Sequence, residues 1–163
     1  MNQMTEILPL QTRVRRRPRI ALVSANWHRD IVAQAVQALS RKLVESGVEP
    51  EDLELFEVPG AFEIPLHLQQ LARSKRFDAL IGCALVVNGG IYRHEFVASA
   101  VIDGLMRVQL DESLPVFSVV LTPRDFHEHA THREFFRQHF VQKGEEAAVA
   151  CMSTLRSLEK LAA

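Results

Sequence analysis

The chain has 163 residues, of which 47% are hydrophobic, and a formal net charge of −1 at pH 7. This length and composition predict one globular domain with a substantial core, and the near-neutral charge argues against a general nucleic-acid binder. No apolar run is long enough to span a membrane, and the N-terminus lacks the apolar core of a signal peptide. We therefore expect a cytoplasmic protein. The two cysteines, Cys83 and Cys151, lie in apolar segments and are expected to be packed thiols rather than a disulfide pair.

Residues 1–18 are predicted to form a flexible basic arm. Four arginines among residues 13–17 stand beside Pro18, and the segment has no helical apolar face. A basic arm can touch nucleic acid or phosphate, but we interpret this one as a solvated tail or as a segment that lies on a neighbouring subunit. Residues 19–163 are expected to form the single folded domain.

Four apolar segments are predicted to be strands. Residues 81–87 are apolar without alternation, which is typical of a parallel strand covered on both faces. Residues 51–58 alternate more, as an outer strand would. In chain order the strands are 19–25, 51–58, a segment that begins at Phe77 and reaches Val87, and 114–121.

Helical periodicity follows each strand. We expect helices over about 31–44, from Ala61 with Pro65 in the first turn, and from His94 onward. Two separate helical stretches, 124–140 and 143 to about 161, are predicted to close the chain. The apolar stripe of the last one is Ala147, Ala150, Cys151, Leu155 and Leu158.

The order βαβαβαβα with an additional terminal helix predicts an α/β fold. We expect a three-layer α/β/α sandwich, in which a flavodoxin-like, four-stranded parallel sheet carries helices on both faces. The strand ends then meet at one rim of the sheet, formed by residues 25–30, 58–63, 86–94 and 121–124. This convergence is stronger evidence for a site than any single motif.

The predicted rim offers an aromatic ring, a carboxylate and glycine turns. Trp27 could cap the core or stack on a flat ligand, and Glu63 could serve the helix dipole or face the rim. The turn Gly89–Gly90 before a helix is a general anion site. With Arg93 and His94 beside it, this set suits a flat heterocycle next to a phosphorylated small molecule.

Other chemistries are not favoured by the sequence. His127, His129 and His132 spell H-x-H-x-x-H, but 127 and 129 do not share a helix face and no other ligand completes a zinc set, so we predict no metal. The chain lacks a nucleophile elbow, a P-loop and the G-x-G-x-x-G fingerprint.

Several motifs together carry a family resemblance. They are VPGAFEIP over residues 58–65, Gly82-x-x-x-Val86-Val87-x-Gly89, Glu95-Phe96-Val97, Pro115-Val116 before Leu121-Thr122, and KGEEAA from Lys143. In this order they resemble the lumazine synthase family over about residues 19–158. The departures described below resemble the divergent second type of that family, found in some bacteria.

The resemblance implies a reaction and an assembly. The family condenses 5-amino-6-(D-ribitylamino)uracil with 3,4-dihydroxy-2-butanone 4-phosphate to give 6,7-dimethyl-8-ribityllumazine in riboflavin biosynthesis, without a metal or organic cofactor. It assembles as pentamers with the site between neighbouring subunits, and the second type tends to pair pentamers into decamers. We therefore expect a homo-oligomer, with a decamer favoured.

The resemblance also implies site residues. The substrate-binding positions are Trp27, Ala61, Phe62, Glu63, Leu85, Val86, Val87 and Ser118. The phosphate-binding positions are Gly90, Ile91, His132 and Arg133. Arg93 stands where most of the family has its proton-transferring histidine, with His94 one residue later, so these two are the catalytic candidates. Gly90 and Ile91 replace a turn that usually carries a hydroxyl, and the segment before Lys143 is longer than usual.

Two other functions remain open from the sequence. One is a flavin- or lumazine-binding protein that keeps the same pocket with weak or no catalysis, and the change to Arg93 is the feature that separates it from the synthase. The other is an unrelated phosphate-binding α/β domain.

Overall fold

The computed structural model describes residues 17–162. The predicted arm therefore lies outside the described residues except for its last two. Arg17 at its end is anchored to the domain, with its guanidinium 3.3 Å from the carboxylate of Asp52 and 3.6 Å from that of Glu51.

Four parallel strands form the sheet over the described range. They are β1 (Ile20–Ala25), β2 (Leu53–Val58), β3 (Ala79–Leu85) and β4 (Val116–Leu121), in the order β2-β1-β3-β4. Every residue of β3 is buried, as its unbroken apolar sequence predicts. β2 lies at an edge of the sheet, which agrees with its alternating pattern.

Helices cover both faces of this sheet. They are α1 (Arg29–Glu45), α2 (Ile64–Arg73), α3 (His94–Glu112) and α4 (Ala130–Leu161). One hydrophobic cluster joins the sheet to α1 and α4, and a second joins the opposite face to α2 and α3. The predicted three-layer α/β/α sandwich is confirmed. No helix within residues 17–162 combines the length and apolar character needed to cross a membrane.

The two cysteines lie in the core and are not bonded to each other. Cys83 and Cys151 are both buried free thiols in the cluster between the sheet and the α1–α4 layer. Burial raises the pKa of each thiol to about 12, so neither is a reactive thiolate at neutral pH.

The prediction of two terminal helices is wrong. Residues 124–129 are irregular, and α4 then runs without a break to Leu161. Gly144 does not end a helix but permits a close helix crossing, since a Cβ built there would lie 2.4 Å from the carbonyl oxygen of Ala35 in α1. The buried stripe also differs, because Ala150 is exposed whereas Ala148 is fully buried.

Replacing Gly144 by Ala is expected to destabilise the fold. The added methyl group must displace the backbone of α1, and we expect a loss of about 2 kcal/mol in the free energy of unfolding despite the better helix propensity of Ala. Urea unfolding followed by circular dichroism measures the change. Gly89→Ala is the control, because nothing lies within 4 Å of a Cβ there. Equal stability of the two variants would contradict the close-crossing explanation.

Candidate functional site

The strand order creates a crevice at the carboxyl ends of β1 and β3. From β1 the chain crosses to β2 on one side, and it then returns past β1 to β3 on the other. The connections after β1 and β3 therefore leave the sheet in opposite directions, and such a switch point is where open α/β sheets bind ligands. Residues 26–28 follow β1 and residues 86–93 follow β3 at this place.

The turns after β1 and β2 are held against each other. The backbone N–H of Asn26 donates to the carbonyl of Val58 at 2.9 Å, which extends the pairing of the two strands into the rim. Glu63 Oε2 accepts a hydrogen bond from the N–H of Gly60 at 2.9 Å. A Cβ at Gly60 would lie 3.3 Å from the indole of Trp27, so the glycine lets this turn close on the ring.

Two aromatic side chains stand in solvent at this turn. Trp27 is 70% exposed in the subunit, so it does not cap the core. Phe62 is also exposed, while its neighbour Ala61 is buried beneath it. Each exposed ring offers a stacking surface for a flat heterocycle.

The end of β3 presents main chain rather than side chains. Leu85 and Val86 are buried, Val87 is partly buried, and the N–H of Val86 donates to the carbonyl of Leu121 at 2.9 Å. A ligand in the crevice therefore meets the backbone that follows this point. That residues 85–87 bind a ligand through their backbone stays a prediction.

The glycine turn after β3 is exposed, and the side chain of Asn88 binds one of its backbone N–H groups. Gly90 has a positive φ of 78°, which favours glycine, and its N–H donates to Asn88 Oδ1 at 2.8 Å. Ile91 is 83% exposed. An anion in this turn would have to compete with the Asn88 amide for the Gly90 N–H.

A charged cluster forms the start of α3. The carboxylate of Glu95 lies 3.2 Å from Nδ1 of His94 and 3.6 Å from Nε of Arg93. The Arg93 guanidinium also lies over the ring of Phe96, 4.4 Å from its centroid. Both catalytic candidates from the sequence are therefore in contact with the same carboxylate.

The predicted phosphate clamp is engaged within the subunit. Nη2 of Arg133 donates to both carboxylate oxygens of Asp30, at 2.8 and 2.7 Å, and Nη1 donates to Glu128. Partial burial opposes ionisation of Asp30, but the hydrogen bond and charge of Arg133, with the charge of Arg137, hold the pKa of Asp30 below its ordinary value. The network ties the first turn of α4 to the first turn of α1.

His132 is also held by neighbours. Its Nδ1 accepts a hydrogen bond from the backbone N–H of His127 at 2.8 Å, and its ring contacts those of Phe126 and Phe136. Among residues 17–162 no group of three or more His, Cys, Asp or Glu side chains is arranged to hold a metal ion. The histidines of this segment thus pack the start of α4 onto the subunit.

Ser118 does not stand at the end of its strand. It is paired in register with Gly82 in the middle of β3, and it is exposed at the free edge of the sheet. A groove of about 350 Å³ opens there between β4 and α4. It is lined by Phe117, Ser118, Leu121, Lys143, Glu146, Ala147 and Ala150.

Lys143 and Glu146 were not predicted as site residues. Lys143 Nζ lies 2.7 Å from Glu146 Oε2, so the groove that Ser118 helps to line contains an ion pair. The sequence had placed both residues only at the start of a terminal helix. The available signal was the three-residue spacing of Lys143 and Glu146, which allows an ion pair on one side of a helix.

Comparison with known proteins identifies relatives along nearly the whole described range. The family model described as 6,7-dimethyl-8-ribityllumazine synthase matches residues 17–159. A protein of that name from Rhodococcus erythropolis is 57% identical over 143 residues, which cover 88% of this chain and 92% of that protein. A protein named 6,7-dimethyl-8-ribityllumazine synthase 2 from Bradyrhizobium diazoefficiens is 53% identical, and the match covers 88% of this chain and 86% of that protein. A protein of the same name from Pseudomonas syringae pv. tomato is 51% identical, and the match covers 88% of this chain and 84% of that protein.

The Asp30–Arg133 contact predicts a pH-dependent contribution to stability. The pKa of Asp30 is lowered in the fold, so the contribution is complete above the ordinary carboxyl pKa of about 4 and is lost as the pH falls through the lower folded value. Because the Asp30 side chain is 40% exposed, we expect Asp30→Asn to lower the free energy of unfolding by about 1 kcal/mol at pH 7. Below pH 3 the difference from the parent should shrink.

Chemical unfolding at several pH values measures this contribution. Glu145→Gln is a matched control, since Glu145 also joins α4 to α1 but lies 3.5 Å from Arg41 in an exposed pair. A pH-independent difference for Asp30→Asn would show that the charge of Asp30 is not responsible.

Proposed function

Because this chain belongs to the 6,7-dimethyl-8-ribityllumazine synthase family, we propose that the rim around Trp27 is its active site. The protein is a transferase of riboflavin biosynthesis. It condenses 5-amino-6-(D-ribitylamino)uracil with 3,4-dihydroxy-2-butanone 4-phosphate. The observation that carries the assignment of the site is the exposed Trp27 ring, held against the Gly60–Glu63 turn at the switch point of the sheet.

The pyrimidine ring binds on this aromatic surface. Trp27 stacks on the ring, and Phe62 borders it with Ala61 and Glu63 beneath the ribityl chain. The main chain of residues 85–87 reads the polar edge of the pyrimidine. The buried side chains of Leu85 and Val86 support this division, because they leave only backbone groups for the ligand.

The reaction needs proton transfers but no metal or organic cofactor. The amine attacks the ketone and water leaves to give an imine. A proton then leaves the adjacent carbon as the next carbon loses phosphate, which gives an enol. The enol hydroxyl passes its proton to the phosphate, and a proton is added to the carbon that lost phosphate, so that a ketone stands beside a new methyl group. Attack by the ribityl-bearing nitrogen closes the second ring with loss of water. Positioning and charge placement suffice for such steps.

Arg93 and His94 assist the proton and phosphate steps at the start of α3. The phosphate lies in the turn at Gly90 and Ile91, near the N-terminus of that helix. His132 and Arg133 remain candidates for the phosphate clamp. Their engagement with His127, Asp30 and Glu128 means that the phosphate would have to displace these partners.

Ser118 is best explained as part of a neighbouring subunit's site. Its groove lies at the free edge of the sheet and contains Lys143, whose charge can face a phosphate. Among residues 17–162, Trp27 and Phe62 at the rim are left exposed. A repeated head-to-tail contact that seats the rim of one copy on the groove of the next would complete every site.

Subunit mixing tests this shared site. The rim variant is Trp27→Ala/His94→Ala, and the groove variant is Lys143→Ala. Assembled alone, each variant should lose most of its rate of lumazine formation, and the rim variant should lose about 10²-fold or more. Denatured together and refolded, they should recover about a quarter of the wild-type rate, since random assembly joins an intact rim to an intact groove at one site in four.

The control is each variant refolded alone. Lumazine absorbance is followed under identical conditions, and light scattering checks that both variants assemble. No recovery in assembled mixtures would place the rim and groove functions within one subunit.

We also propose that the cytoplasmic protein is built from pentamers that pair into decamers. Large apolar side chains are exposed on α3 and at the start of α2, namely Leu66, Phe96, Ile102, Met106 and Leu110, which supports burial between copies. Each copy then contributes the single predicted domain of residues 19–163. The lengthened segment before Lys143 is a candidate for modifying pentamer–pentamer contacts.

Particle mass measures the assembly directly. Light scattering combined with size exclusion should give ten times the 18.4 kDa of one chain. Met106→Glu, which introduces a charge on the exposed apolar side of α3, should reduce this mass because the charge would be buried without a partner. A shell-sized particle or a monomer would contradict the decamer.

A further inference from the structure

We propose that Glu95 is a positioning residue that makes His94, rather than Arg93, the proton-transferring group. This inference rests on the proposed function, and it assigns different tasks to the two catalytic candidates. The starting observation is that one carboxylate serves both: Oε2 of Glu95 is 3.2 Å from Nδ1 of His94, and Oε1 is 3.6 Å from Nε of Arg93.

Glu95 is fixed as an anion by its place in the fold. It lies in the first turn of α3, where the helix dipole favours negative charge. A hydrogen bond from its own backbone N–H, followed by the charges of His94 and Arg93, holds the pKa of Glu95 below its ordinary value. The carboxylate is therefore present as an acceptor for an imidazole N–H.

Arg93 is unsuited to moving a proton. A guanidinium stays protonated at neutral pH and has no lone pair to accept one. Here it is also held between the Phe96 ring, at 4.4 Å, and the Glu95 carboxylate. Arg93 can supply fixed positive charge to a leaving phosphate, but the proton must be taken by another group.

The imidazole of His94 meets that requirement. Its side chain is only 20% exposed, so a restricted part of the ring reaches solvent. With Nδ1 facing Glu95, the neutral ring carries its proton on Nδ1 and leaves the lone pair on Nε2 free. An anion beside Nδ1 also stabilises the imidazolium that forms when Nε2 accepts a proton.

The proton balance of the reaction fits this arrangement. Nε2 takes the proton from the carbon next to the imine, the electrons of that C–H bond form a carbon–carbon double bond, and the phosphate leaves with the electrons of its C–O bond. The imidazolium then returns the proton to the carbon that lost phosphate, which becomes a methyl group, while the enol hydroxyl gives its proton to the released phosphate and becomes a ketone. His94 ends neutral, and Glu95 stays ionised throughout.

A double-mutant cycle tests the assignment in the full chain. We expect Glu95→Gln to lower kcat about tenfold or more with little change in KM, because it keeps the shape but loses the charge. Glu95→Asp should recover part of the rate. In a His94→Ala background, Glu95→Gln should have almost no further effect, since Glu95 acts only through the imidazole.

Controls separate this role from a structural one. Glu45→Gln is the matched control, because the Glu45 side chain on α1 also pairs with a cation and is 55% exposed, compared with 56% for Glu95. This control variant should leave kcat unchanged. Nitrogen NMR of histidine-labelled protein, with the signal assigned by His94→Gln, should show the Nδ1–H form lost in Glu95→Gln. Thermal unfolding checks that each variant is folded.

Each outcome decides the proposal. Equal losses from Glu95→Gln in the parent and in the His94→Ala background would overturn it, as would an unchanged kcat in Glu95→Gln. A large loss in Arg93→Lys with full activity in His94→Ala would transfer the proton step away from His94. An inactive wild-type chain would instead refute the proposed function, independently of Glu95.

Discussion

Parallel pairing of β1 with both β2 and β3 is the constraint on which the site depends. Since β1 is central, the connection after it and the connection after β3 diverge, and a crevice opens between them. The Asn26–Val58 hydrogen bond carries this pairing beyond the strands and sets Trp27 against the neighbouring turn. The aromatic ring is therefore positioned by the sheet, although it is hardly buried at all.

The helix layers on the two faces of the sheet differ in how much apolar surface they leave exposed. On one face, α1 and α4 cross closely at Gly144 and are joined by Arg133 and Asp30. On the other, α3 exposes apolar side chains along its length and starts in the charged cluster of Arg93, His94 and Glu95. The exposed apolar side of α3 and the groove between β4 and α4 are the two surfaces on which the proposal of a shared site rests.

Features that depend on neighbouring residues in the sequence could be predicted from it. The unbroken apolar run of β3, the helical spacing after His94 and the resemblance at residues 58–65 indicated the fold, the rim and the family. Contacts between distant segments were beyond these signals. Arg133 and Asp30 are 103 positions apart, and nothing in either segment indicates that the other neutralises it. The sequence also did not indicate that Gly144 admits the backbone of α1, because the partner residue Ala35 lies in a distant segment.

The close crossing at Gly144 holds α4 near its middle, whereas the loop before α4 holds it at its start. Phe126 in that loop is buried in the same core cluster as Gly144's neighbours and contacts the rings of His28 and Phe136. A change in the length of residues 122–129 that keeps Phe126 in place is therefore expected to leave the α1–α4 crossing intact. A change that removes Phe126 would instead reach His28, the residue next to Trp27 at the rim.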